Sequence, residues 1–127
     1  MTIAVCGLAT VGATMAAWLL ERGHRVIGVD TDACKRGAIL AGCAPVTEPG
    51  LEPIFAKSVA AGVLSVTQDL ATVVADPVVD TVAIAVGTPS ADCGGLSLDQ
   101  IFAATDAVIA GIERRPAQSA RVLICYR

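Results

Sequence analysis

The sequence predicts an α/β fold, an open parallel sheet of about five strands with helices on both faces. Three observations predict it. Short Val- and Ile-rich runs alternate with longer segments of helical period, the pattern of strands joined by crossover helices. Hydrophobic residues make up 54% of the chain and charged ones only 17%, which suits strands buried on both faces rather than a disordered chain. The length of 127 residues is enough for one domain with a sizeable core and short for two, so residues 1–127 read as a single domain with no linker and no internal repeat.

Taken in order, the strands fall at 2–6 (TIAVC), 25–29 (RVIGV), 63–67 (VLSVT), 79–86 (VDTVAIAV) and 120–125 (ARVLIC). A helix over 10–22 presents Val11, Met15, Trp18 and Leu19 as its apolar face and ends at Gly23, a residue suited to a left-handed cap. The second helix, 32–41, ends in the same way at Gly42. Three prolines in 44–53 (APVTEPGLEP) predict an ordered loop before a helix from about 50 to 61. Asp69 caps a short helix to about 75, and Ser97 or Asp99 starts the last, which runs to about Arg114.

Charge and composition exclude several classes of function. A net charge of −3 offers no basic footprint for a nucleic acid. Mean hydropathy is high, +0.68, yet glycines, threonines and charges break each apolar stretch short of a membrane span. The start MTIAVCGLA lacks the basic end and cleavage site of a signal peptide, so the expected location is the cytoplasm. Five cysteines, with no Cys-x-x-Cys and no neighbouring histidine, predict neither disulfides nor a metal site; they read as small buried hydrophobes, and no catalytic residue is assigned.

The chemistry is concentrated in CGLATVG, residues 6–12. A strand, a glycine turn and a helix start place unpaired backbone N–H groups at the positive end of a helix dipole, where phosphate binds. Gly7 permits the turn and Gly12 lets helix and strand approach, as in the Rossmann-like dinucleotide-binding loop. Between them, where the backbone comes nearest a pyrophosphate, stands Ala9 in place of glycine. Its methyl is expected to weaken binding by about 1–3 kcal/mol, through displacement of either the ligand or the turn. The second strand runs into Asp30, which is placed to accept from the adenosine ribose hydroxyls and to repel a 2′-phosphate, favouring NAD over NADP. Asp30 can also cap the following helix, a role that can coexist with the first, and Lys35 and Arg36 nearby temper the NAD preference.

With GLATVG, GVDTDACK, EPGLE and VGTPS in this order, the chain resembles the N-terminal domain of the UDP-glucose/GDP-mannose 6-dehydrogenase family over residues 2 to about 124. The VGTPS form at 86–90 is more similar to the GDP-mannose branch. The resemblance implies an enzyme of nucleotide-sugar metabolism and polysaccharide biosynthesis that oxidises a sugar C6 alcohol to a carboxylate with NAD. By position it implies Thr10 and Val11 beside the pyrophosphate, Asp30 and Lys35 at the adenosine ribose, Thr88 toward the nicotinamide, and Glu48 on a loop of the substrate side. Read as residues alone, Thr88 also fits a turn hydroxyl before Pro89, and Glu48 and Lys35 also fit solvated charges.

The departures from the family pattern matter as well. The family has Gly and Tyr where this chain has Ala9 and Thr10, and a Ser-Thr pair where it has Tyr126 and Arg127. The family's nucleophilic cysteine, and its central helical and sugar-nucleotide domains, follow the region of likeness, so these residues are expected to bind NAD weakly and not to complete catalysis alone. The alternative is a non-enzymatic, dehydrogenase-derived module with a decayed nucleotide site that acts through protein contacts. A phosphoacceptor receiver would share the sheet, but it needs carboxylates for Mg²⁺ where this chain has Cys6 and Gly7. The open edge of the fifth strand predicts a homodimer or an unstable monomer.

Overall fold

The computed structural model describes residues 1–127. Five parallel strands, β1 (Thr2–Cys6), β2 (Arg25–Val29), β3 (Leu64–Thr67), β4 (Thr81–Ile84) and β5 (Leu123–Tyr126), form one sheet in the order β3-β2-β1-β4-β5. The order reverses between β1 and β4, the switch point at which open sheets of this Rossmann-like kind bind their ligands. Helices α1 (Thr10–Glu21), α2 (Ala33–Leu40) and α3 (Leu51–Ala60) precede β3, and α4 (Leu70–Ala75) and α5 (Asp99–Arg114) follow it.

Each face of the sheet has its own core. Ile3, Val5, Val26 and Leu64 pack under α1 to α3 with Leu20, Ile39 and Phe55. Ala4, Val29, Val82 and Ile84 pack under α4 and α5 with Val74, Ala104 and Val108. Alternation along each strand assigns its residues to these two faces, and the central strands β1 and β4 are buried on both. The helix ends follow local chemistry: Gly23 and Gly42 adopt φ of 81° and 80°, and Asp69 accepts from the Thr72 N–H at 3.0 Å.

Three expectations need correction. The sheet-facing side of α1 is Gly12, Ala13, Ala16, Ala17, Leu19 and Leu20, whereas Val11 and Trp18 are 48% and 50% exposed. The helix lies so close to β1 at Gly12 that glycine and alanines face the sheet over its first turns, and the larger Leu19 and Leu20 are buried only at its end. Of the five cysteines only Cys6 is buried; Cys34, Cys43, Cys93 and Cys125 are exposed. Finally, β5 starts at Leu123 rather than 120. Ahead of it the Arg115 guanidinium gathers the chain, donating to the carbonyls of Val74 (2.7 Å), Asp76 (3.0 Å), Pro77 (3.4 Å), Val79 (3.4 Å) and Ala120 (3.2 Å). This fork ties the end of α4 to the approaches of β4 and β5, a use of planar multi-donor geometry that lysine could not reproduce.

Candidate functional site

At the carboxyl end of β1 the backbone turns through Gly7 at φ 91°, and a Cβ there would stand 2.7 Å from the Ala85 carbonyl oxygen. Gly12 is more constrained still, since a Cβ would lie 1.7 Å from the Gly7 oxygen. Leu8 is buried and fills the space left by the missing side chain of Gly28, where a Cβ would meet its Cδ1 at 2.9 Å. Ala9 is the N-cap of α1 at φ −74°, ψ −170° and carries no side-chain cap. These are ordinary extended angles, so the turn accommodates alanine without strain and the methyl burdens only a ligand.

The loop amides divide into two groups. The Gly7 N–H donates to the Val29 carbonyl at 2.8 Å and the Leu8 N–H to Asp30 Oδ2 at 2.8 Å. The N–H groups of Ala9, Thr10, Val11 and Gly12 donate to no protein acceptor. Four free donors at the start of a 12-residue helix make an anion-binding end. Asp30 is fixed beside them. Its Oδ1 accepts from the Asp32 N–H at 2.9 Å, Lys35 Nζ lies 3.7 Å from Oδ2, and Arg36 donates to its carbonyl at 2.8 Å. The Asp30 side chain is 11% exposed. A carboxylate has about four acceptor positions, so the two amides leave it able to accept ribose hydroxyls as well.

A cleft of about 690 Å³ opens along this edge, within the usual size range for small-molecule sites. Gly7, Ala9, Asp30 and Lys35 line it, as the sequence predicts. Thr10 and Val11 do not; they border a second hollow on the outer side of α1 with Thr14, Met15 and Trp18. Gly12 is buried beneath the turn. Thr88 lies four residues past β4 and Glu48 is exposed on the loop before α3, both outside the cleft.

The sequence reading missed the far wall of the cleft. Helix α5 contributes Gln100, Ala103, Ala104 and Ala107, and the approach to α4 contributes Gln68, Asp69, Leu70 and Ala71. The i, i+3, i+4, i+7 spacing on α5 was a usable sign, since three alanines on one helical stripe leave room for something other than side chains. Asp69 was legible only as a cap. Hydrogen bonds from the Thr72 hydroxyl and amide hold its carboxyl below the usual carboxylate range. On the cleft floor, burial together with the Asp30 charge pushes the Cys6 thiol up to about 11, so it is no nucleophile at neutral pH. No group of three His, Cys, Asp or Glu side chains could hold a metal ion.

The pattern that defines the NAD binding domain of the UDP-glucose/GDP-mannose dehydrogenase family matches residues 1–124. The chain belongs to that family. It is 43% identical over 101 residues to the GDP-mannose 6-dehydrogenase of Pseudomonas syringae pv. syringae, covering 80% of this chain and 23% of that protein. With the UDP-glucose 6-dehydrogenase of Rhizobium meliloti it shares 39% over 114 residues, 89% of this chain and 26% of that one. The crystal structure of a ternary complex of GDP-mannose dehydrogenase from Pseudomonas aeruginosa superposes with a TM-score of 0.90 at 38% identity, over all of this chain and 28% of that chain. For a UDP-glucose dehydrogenase from Pyrobaculum islandicum the TM-score is 0.79 at 36% identity, over 87% and 25%. Both measures run higher for the GDP-mannose enzymes, in keeping with the VGTPS form at 86–90. This chain thus spans 23% to 28% of the lengths of these four relatives. As a dinucleotide-binding domain of this family it is Rossmann-like and NAD-binding, and none of its helices is long and apolar enough to cross a membrane.

Proposed function

We propose that residues 1–127 form a single dinucleotide-binding domain, the cofactor-binding part of a nucleotide-sugar 6-dehydrogenase acting on a GDP-mannose-like substrate. The observation that carries this reading is the set of four unpartnered amides, Ala9 to Gly12, beside the Asp30 carboxylate at the switch point of the sheet. The amides receive the pyrophosphate, with Gly7 and Gly12 setting the turn. Asp30, oriented by the Leu8 and Asp32 amides, accepts from the adenosine ribose, and Lys35 balances its charge. Val11 supports the loop from the outer side. Thr88 serves the nicotinamide half and Glu48 the sugar-nucleotide side, both outside the cleft. Bound NAD supplies the hydride acceptor for oxidation of the sugar C6 alcohol, and the residues of this cleft bind and orient it.

Isothermal titration of the 127-residue chain tests the reading. NAD should bind weakly and more tightly than NADP, and Ala9→Gly should tighten NAD by about 5- to 150-fold, the equivalent of the methyl's overpacking cost of about 1–3 kcal/mol. NAD binding no tighter than to an unrelated acidic protein would sink it. The same domain is proposed to be cytoplasmic, where its four exposed, unpaired cysteines suit a reducing compartment. It is also proposed to form a homodimer through β5, whose outer edge is unpaired and whose Leu123 and Tyr126 are exposed. Light scattering checks this, and a stable monomer at all concentrations contradicts it.

A second reading, a non-enzymatic module with a decayed nucleotide site, is favoured by one observation. Asp30 already accepts two backbone amides and pairs with Lys35, so the protein itself partly satisfies the group that would grip the ribose. If Ala9→Gly leaves NAD affinity unchanged, steric obstruction is not the limiting defect and this reading gains.

A further inference from the structure

Helix α5 has three faces with different tasks. Ala104 and Val108 sit on the sheet with Val82 and Ile84, and Ala103 and Ala107 line the cleft. On the third face Leu98, Phe102, Thr105, Ile109 and Ile112 follow one another at alternating steps of four and three positions, the period of a narrow apolar seam. Its four large residues are 43%, 60%, 50% and 44% exposed. Thr105 shows where the seam points. Its hydroxyl gives its one proton to the Ile101 carbonyl at 2.8 Å and so accepts from the Tyr126 hydroxyl at 2.8 Å. The seam therefore looks out over β5, past the open edge of the sheet. Asp99, Asp106 and Glu113, seven positions apart and all exposed, run beside it on the solvent side.

Strand β5 continues the same surface. Leu123 and Arg127 donate to the Asp80 and Ile84 carbonyls on the β4 side at 3.0 and 2.9 Å, so the main-chain groups of Ile124 and Tyr126 point outward at an edge with no neighbour. With exposed Leu123 and Tyr126 the seam forms an apolar surface on the order of 600 Å², the upper end of what a monomer leaves in one patch. Doubled by a second copy, such a surface clears the total of about 1,000 Å² that a specific interface needs.

We propose that the outer face of α5 is the main contact between two copies of this chain, packing α5 against α5 over a continuous sheet joined at β5. The inference rests on the homodimer reading and deepens it. Antiparallel pairing of β5 with its counterpart inserts two strand spacings of about 4.8 Å between the helices, and helices pack about 8–10 Å apart. A two-fold axis makes the same seam serve both sides. Ile124 and Tyr126 then exchange main-chain bonds with Tyr126 and Ile124 of the second copy, which sets Cys125 opposite itself. The acids of α5 stay in solvent, so no charge is buried. Both clefts remain open, because Ala103 and Ala107 lie on the other side of the helix.

Sedimentation velocity over a concentration series of the 127-residue chain tests this. The wild-type chain is expected to dimerise. Ile109→Asp and Phe102→Asp are each expected to raise the dissociation constant at least about 30-fold, the size of a hot-spot loss, with an unchanged circular dichroism spectrum. Mild oxidation with diamide supplies a second measurement that needs no core or seam variant. Cys125 is exposed, and opposed Cα atoms about 4.5 Å apart are within disulfide reach. The wild-type chain is expected to give a covalent dimer and Cys125→Ser to give none, although Cys34, Cys43 and Cys93 remain. A dimer undiminished in both aspartate variants overturns this inference alone, as does a cross-link that survives Cys125→Ser. A wild-type chain that is monomeric at all concentrations overturns it together with the homodimer reading and leaves the seam to a different chain.

Discussion

Gly12→Ala is expected to abolish the native fold or to destabilise it by more than about 3 kcal/mol, beyond the usual cost of an added core methyl. The added Cβ would lie 1.7 Å from the Gly7 carbonyl oxygen and 2.9 Å from its carbon. That backbone cannot yield cheaply. Gly7 is tied to β2 by its bond to Val29 and to the β4 exit by its own close approach to Ala85. The helix would have to lift away from β1, opening the Ala13, Ala16 and Ala17 contacts in the first core. Domains of this size hold about 5–15 kcal/mol in total, so the loss is a large share of the whole. Urea denaturation followed by circular dichroism checks it, and a midpoint equal to that of the wild type would refute the close packing. The contrast with Ala9→Gly is instructive: the same loop takes a methyl at position 9 without strain and cannot take one three residues later.

The second large effect is expected from Asp30→Ala. Loss of this carboxylate leaves the Leu8 N–H without its 2.8 Å acceptor and the Asp32 N–H without its 2.9 Å one, and it frees Lys35. Hydrogen bonds to charged groups are worth about 1.5–3 kcal/mol, so NAD affinity should fall by about 10- to 150-fold. NADP should lose less, because the anion that repels its 2′-phosphate is gone while Lys35 remains, and the ratio of NADP to NAD affinity should rise. Titration of both dinucleotides into wild-type and variant chains reads this directly. An unchanged ratio would mean that Asp30 serves only to hold the loop and Asp32, the N-cap of α2, in place.

These effects also mark how far the amino-acid sequence could be read. The βα alternation, the glycines at 7 and 12 and the acid at the end of β2 were legible because each depends on a local requirement: a turn of positive φ, a close crossing and a strand end that emerges at the ligand edge. The family resemblance rested on the same short motifs. The lining of the cleft was less accessible. Asp30 and Gln100 border one cavity although 70 positions separate them in the chain, and no periodicity connects a β2 exit with an α5 stripe. Thr88 and Glu48, which the resemblance implies as site residues, lie outside the cleft that Asp30 and Ala9 share.

Taken alone, then, the sequence determined the architecture, the nucleotide loop and the acid that faces it, since these follow from hydrophobic period, glycine stereochemistry and the polarity of a helix start. Tertiary packing decided which side of α1 is buried, which cysteines meet solvent and what walls the far side of the cleft. The reason is physical. A helix with alanines and leucines on one side and Val11 and Trp18 on the other is apolar in both directions, and the close approach to β1 at Gly12 selects the side that fits.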